Sequence, residues 1–222
     1  MTSPDASPER TPRPGVAYLT SSRVEAFSDG VLAIAITLLV LDLVVPARHQ
    51  TPSGTLGHAL AEEWPSYGAY LVSFLVVGIM WVNHHTVFAK VRRVDRPVLF
   101  ANLALLLCIS VLPFPTRLLA EYLTSGPDSH LAAAVYSGTM LAAALCFTLL
   151  WWAVTRDEHL LHDEVDRQSG RAALRRFGAG GIVYLATIGL SFVSAPLTLA
   201  VHFVLAVYYC FDQLTVAAPP PS

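Results

Sequence analysis

Arg23-Val-Glu-Ala-Phe-Ser-Asp-Gly30 runs directly into Val31-Leu-Ala-Ile-Ala-Ile-Thr-Leu-Leu-Val-Leu41. The stretch sets an arginine, a glutamate and an aspartate at the mouth of an apolar run long enough to enter a membrane. Charge inside a bilayer is costly unless paired, so Asp29 marks a functional site by default. The rest of the chain is expected to be a scaffold that satisfies this helix and holds copies of it around an axis. Composition points the same way. The 222 residues are 54% hydrophobic and 14% charged, where a soluble domain carries about a quarter charged residues. A net charge of −2 gives no reason to expect nucleic acid as a partner. Cys108, Cys146 and Cys210 all fall in apolar runs, which argues against a disulfide framework and for small core residues.

A membrane helix needs about 20 mostly apolar residues. On that measure an all-α, polytopic membrane protein is expected, with six spans near 24–46, 65–89, 97–120, 130–154, 177–195 and 197–214. From Phe177 to Phe211 there is no charge, and one straight helix over that length would be too long to cross once. Ser194-Ala-Pro196 is the natural break, because proline disfavours helix in the residue before it. Residues 1–22, polar and rich in proline, read as a disordered cytoplasmic tail, 23–215 as the transmembrane domain, and 216–222 as a second tail. The mixed charges of 156–176 read as a solvated helical connection.

Twelve basic residues lie before the first span and in the 90–96 and 156–176 loops, against Arg48 and Arg117 on the other side. The positive-inside rule therefore places both termini in the cytoplasm.

At about 100° per residue, Gly30, Ile34, Thr37, Leu38 and Leu41 share one face of the first helix. Asp29, Ala33, Ile36 and Val40 share another, and the carboxylate is expected to turn into protein. Depth suggests its partners. His84 and His85 lie just inside the cytoplasmic end of the second span, and Asn102 just inside that end of the third, so all three reach the level of Asp29. Trp81 lies one turn deeper than the histidines, and its ring is a candidate acceptor for the Arg23 guanidinium.

Adjacent histidines on a helix point about 100° apart, so one shared metal ion is not expected. Asp42 reads equally as a vestibule charge that attracts cations or as an interfacial residue. His202 reads as a hydrogen-bonded core residue, and Pro113-Phe-Pro115 as a kink or an outer helix end. No nucleotide loop, nucleophile-plus-base spacing or zinc motif is present, so no enzyme chemistry and no cofactor are expected.

With Arg23, Phe27-Ser28-Asp29-Gly30, the Ala-Ile-Ala-Ile-Thr-Leu-Leu run, Trp81-Val-Asn-His84-His85, and Asn102 through Leu112-Pro-Phe-Pro115, the chain resembles the transmembrane protein 175 family of potassium-permeable channels. The resemblance covers the first three spans with several motifs in order. It implies a homotetramer of six-helix subunits in a bacterial inner membrane, with the first helix of each lining a central pore and no carbonyl filter. Carried onto matching positions, the pore face is Ile34, Thr37, Leu38 and Leu41, narrowest at Ile34, with potassium as the permeant ion. Arg23, Phe27, Ser28, Asp29, Trp81, His84, His85 and Asn102 resemble the inter-helix network that fixes the pore helix. Two other readings stay open. One is a proton channel using Asp29 and the His84-His85 network, and the other is a non-conducting membrane scaffold.

Overall fold

The computed structural model describes residues 19–43, 45–46, 56–162 and 180–216. Helix α1 spans Ser21–Leu38 and tightens into a single 3-10 turn over Leu39–Asp42. After it come α2 (Leu56–Glu62), α3 (Trp64–Phe88), α4 (Arg96–Val111), α5 (Pro113–Tyr122) and α6 (Pro127–Thr155). Two further helices, α7 (Gly180–Ser191) and α8 (Ala195–Val216), close the described chain.

Local chemistry sets these limits. Asp95 caps α4 by accepting from the Val98 amide at 3.2 Å, and Pro97 sits in the first turn, where a missing N–H costs nothing. Gly126, at φ 63°, turns the chain into α6, a conformation that glycine adopts without a Cβ clash. Pro113 has no N–H to donate, so the Leu112 amide takes the Ile109 carbonyl at 3.1 Å instead. The ladder resumes one turn later with Thr116 to Leu112. Proline thus bends one continuous apolar run, Arg96–Tyr122, into α4 and α5.

Among the described residues four helical runs are long and apolar enough to cross a membrane: Ser21–Asp42, Trp64–Phe88, Arg96–Tyr122 and Pro127–Thr155. The fifth and sixth expected spans correspond to shorter apolar helices, Gly180–Ser191 and Ala195–Cys210. Their break falls at Phe192-Val193-Ser194, slightly earlier than the sequence suggested. Ser194 accepts from the Leu197 amide through its hydroxyl and so caps α8, leaving Pro196 inside the first turn.

The core lies between the helices. Helix α4 packs most extensively on α6, α3 on α5 and α8, and α1 on α3 and α4. Buried Leu32, Leu39, Val77, Leu105, Ile109, Tyr136, Met140 and Trp151 belong to one cluster.

Two boundaries differ from the sequence reading. The first helical run covers Ser21–Asp42, earlier at both ends than the expected span near 24–46, and a short strand β1 (Leu19–Thr20) precedes it, antiparallel to β2 (Arg93–Val94). Beyond α6, Val91 bridges Leu161, and the Arg92 amide donates to the Leu160 carbonyl at 2.8 Å. The start of the 156–176 connection is therefore a 3-10 turn and an extended pairing rather than a solvated helix, because its backbone finds the 90–94 segment. Positions 163–176 and the tails 1–18 and 217–222 lie outside the described residues. Asp95 also pairs with Arg156, and Lys90 lies over the Trp151 ring at 5.3 Å. These contacts fasten the start of α1, the α3–α4 turn and the end of α6 into one clasp.

Candidate functional site: the first helix and its polar contacts

Val24, Ser28, Leu32, Ala35 and Leu39 are the buried face of α1 and its closing turn. Their spacing of three and four keeps one stripe against α3 and α4. The opposite stripe is left uncovered by the described residues. Ile34 is 61% exposed, Leu38 41% and Leu41 75%, and Phe27, Gly30 and Thr37 are exposed with them. The exposed stripe contains the face that the helical period drew. Ala33 and Val40, expected on the protein-facing side with Asp29, are exposed as well, and packing falls on Val24, Ser28, Leu32, Ala35 and Leu39 instead.

Ser28, Asn102 and His84 meet with no solvent exposure. The Ser28 hydroxyl donates to the Val24 carbonyl at 2.8 Å, so its oxygen accepts from Asn102 Nδ2 at 2.9 Å. The amide of Asn102 is thereby oriented, and its Oδ1 must accept from His84 Nε2 at 2.9 Å. His84 is therefore protonated on Nε2. Its ring stacks on Phe88 at 4.4 Å, and its Nδ1 is buried with no hydrogen-bond partner among the described residues.

A second link joins the same helices. Trp81 Nε1 donates to Asp29 Oδ1 at 3.0 Å, and His85 Nδ1 lies 2.8 Å from Glu25 Oε1. Trp81 and His85 also stack, with ring centres 6.3 Å apart. The anticipated contact between Arg23 and the Trp81 ring is not formed. The indole is committed to Asp29, and Arg23 is exposed at the entrance. Phe27 is exposed rather than part of these links. Of the eight expected network residues, Ser28, Asn102 and His84 form one chain, Asp29 and Trp81 another, and His85 pairs with Glu25. Glu25, which no matched depth pointed to, belongs to this group as well.

A separate buried cluster had no sequence signal beyond scattered hydroxyls in apolar spans. Ser73 Oγ lies 2.8 Å from Thr116 Oγ1 and 3.0 Å from the Tyr136 hydroxyl, tying α3, α5 and α6. Ser137 Oγ lies 2.9 Å from His202 Nε2, which ties α6 to α8 and makes His202 a hydrogen-bonded core residue. At the far end of α1, Leu41, Asp42, Glu62, Glu63, Arg117 and Glu121 line an open cavity of about 550 Å³. Among the described residues no group of three or more His, Cys, Asp or Glu is arranged to hold a metal ion.

Membrane-length apolar helices, with a first helix packed on two of them through a buried polar link and open along its apolar stripe, define a polytopic α-helical membrane protein. Residues 23–113 match the family model described as the endosomal/lysosomal potassium channel TMEM175. A protein named a potassium channel from Streptomyces collinus is 58% identical over 196 residues, covering 88% of this chain and 94% of that one. The crystal structure of a lysosomal potassium-selective channel TMEM175 homolog from Chamaesiphon minutus superposes with a TM-score of 0.78. It is 42% identical and covers 87% of this chain and 97% of that chain. The chicken endosomal/lysosomal proton channel TMEM175 is 34% identical over 151 residues, and the match spans 30% of its length. The chain belongs to the TMEM175 family, a family of ion channels rather than enzymes.

Proposed function

We propose that the chain is the six-helix subunit of a homotetrameric, potassium-selective leak channel in a bacterial inner membrane, with α1 lining the axis. The observation that carries this reading is the uneven covering of α1. In its most apolar stretch 28% of residues are buried, against 44%, 39% and 39% in the other three long helices. A helix held to its neighbours through buried Ser28, yet whose stripe of Ile34, Leu38 and Leu41 is left open, is suited to meeting its own copies. Helices α7 and α8 complete the six spans. The clasp at the start of α1 gathers Lys90, Arg92, Arg93, Arg96 and Arg156 at one end, which supports cytoplasmic termini.

Around such an axis four Ile34 side chains close the route by sterics and dewetting. Conduction requires the helices to tilt or turn until that ring widens. Thr37 stands one turn outward. Its Oγ1 lies 3.0 Å from the Ala33 carbonyl and 2.9 Å from that of Ile34. The hydroxyl proton is thus held by the backbone, and the remaining lone pairs are open to a cation that has shed water. Potassium is larger than sodium and releases water more easily, so weak coordination of this kind favours it. The acidic cavity beside Leu41 supports a vestibule role for Asp42.

The proton alternative has weaker support. Asp29–Trp81, Glu25–His85 and His84–Asn102–Ser28 are three separate links, and a tryptophan N–H that only donates cannot relay a proton from Asp29. The test is potassium against sodium flux into liposomes holding the purified protein. Potassium-favouring flux that rises or loses selectivity in Ile34→Asn is expected. Unchanged flux in that variant removes Ile34 as the constriction. Proton movement driven by a pH gradient, with no flux of either metal ion, moves the reading to Asp29 and the histidines.

A further inference from the structure

We propose that Cys108 on α4 and Cys146 on α6 are a thiol pair that apolar, membrane-permeant organic hydroperoxides convert into a disulfide between the two helices. Their sulfurs lie 3.7 Å apart across the most extensive helix pairing in the fold. Both are free thiols and both are half-buried. A disulfide needs about 2.05 Å between sulfurs and helices already close at the Cα level. Two packed helices with thiols in contact reach that geometry by side-chain rotation and a small approach.

Their position selects the oxidant. Cys108 lies twelve residues into the span from Arg96, about 18 Å, and Cys146 nine residues before Thr155, about 14 Å. Both depths fall near the middle of a hydrocarbon layer about 30 Å thick. Leu107 and Val111 beside one thiol, and Leu145 and Leu149 beside the other, are exposed on the apolar surface. Ionic oxidants and charged disulfides do not enter such a region, whereas a lipid-like hydroperoxide does.

The chemistry balances as follows. One sulfur attacks the terminal hydroperoxide oxygen, the O–O bond breaks, and the alcohol leaves with one proton, giving a sulfenic acid. The second thiol displaces its hydroxyl, the S–S bond forms, and water leaves. Two thiols are oxidised by two electrons and one hydroperoxide is reduced to alcohol and water. The product pins α4 to α6 six residues, about 9 Å, from Asn102, the residue that holds Ser28 of α1. Cys210, on α8, has no part in it.

The experiment uses the full chain in liposomes treated with cumene hydroperoxide, then denatured and read by thiol alkylation, intact mass and non-reducing peptide mapping. Ion flux is not needed, so the outcome is independent of the channel reading. Alkylatable thiols are expected to fall from the three free cysteines to one, with loss of two hydrogens from the mass. A Cys108–Cys146 peptide pair should appear and be released by a phosphine reductant. Cys210→Ser should form the same pair, while Cys108→Ser and Cys146→Ser should each form none and still elute as the wild-type assembly. Thiols that all stay alkylatable, oxygen additions without a cross-link, or a cross-link through Cys210 or between subunits would each overturn the assignment.

Discussion

Asn102 on α4 donates from Nδ2 to the Ser28 hydroxyl on α1 at 2.9 Å, while its Oδ1 accepts from His84 on α3. All three groups are without solvent exposure, so each bond is committed in one direction. The arrangement fixes the rotation of α1 against two neighbours. Once Ser28 faces inward, the helical period leaves Ile34, Leu38 and Leu41 facing out.

Asn102→Leu removes the amide while keeping its volume, and leaves the His84 N–H buried without an acceptor. A loss of about 1–3 kcal/mol is expected, read as a lower melting temperature of the detergent-solubilised assembly. Adding His84→Leu should recover part of the loss, since replacing both partners by apolar groups is cheaper than stranding one. A wild-type melting curve for Asn102→Leu would show that this link does not hold α1.

Asp29→Asn keeps an oxygen that accepts from Trp81 Nε1, whereas Asp29→Leu and Trp81→Phe each abolish that bond. The asparagine variant should therefore assemble more like wild type than either of the others, which should lose about 1 kcal/mol each. Size-exclusion profiles and melting curves give the ranking. An Asp29→Asn defect as deep as that of Asp29→Leu would assign the role to the charge rather than to the bond.

Thr37→Val preserves shape and deletes the oxygen; Thr37→Ser keeps it. On the proposed pore reading, Val lowers the potassium-over-sodium preference and Ser largely retains it, measured by reversal potential under bi-ionic conditions. Equal preferences in wild type and Thr37→Val would take the hydroxyl out of ion coordination.

Gly68 lets α8 approach α3 closely, since a Cβ built there meets Leu199 Cδ2 at 3.3 Å. Small residues at such crossings permit tight helix packing in membranes. Gly68→Leu should push the pair apart and destabilise by about 1–3 kcal/mol, seen as a lower melting temperature. Gly30→Ala meets nothing within 4 Å in the single chain and serves as the control for stability within one subunit.

Much of this was legible along the chain. Hydropathy drew the four long spans, the proline pair marked either a kink or an outer helix end, and matched depth set His84, His85 and Asn102 at the level of Asp29. Of these, His84 and Asn102 bond to each other and on to Ser28 rather than to Asp29. What periodicity could not decide was partner choice. Depth alone set the Trp81 ring against Arg23, and only the packed angle between α1 and α3 put the indole on the Asp29 carboxylate. Glu25 stands at the helix mouth in the sequence with no partner indicated, because a charged residue there is ordinary. It gained a partner only when His85 turned away from His84.

The sequence by itself determined the membrane class and which stripe of α1 carries bulk and which carries polarity. Both follow from composition and from the 3.6-residue period, which are properties of a single helix. Only the tertiary structure decided that residues 19–20, 90–94 and 160–162 form a clasp, that Ser73, Thr116 and Tyr136 meet in the interior, and that Cys108 touches Cys146. Those pairings join residues far apart in the chain, and no local spacing encodes the packing angles that bring them together.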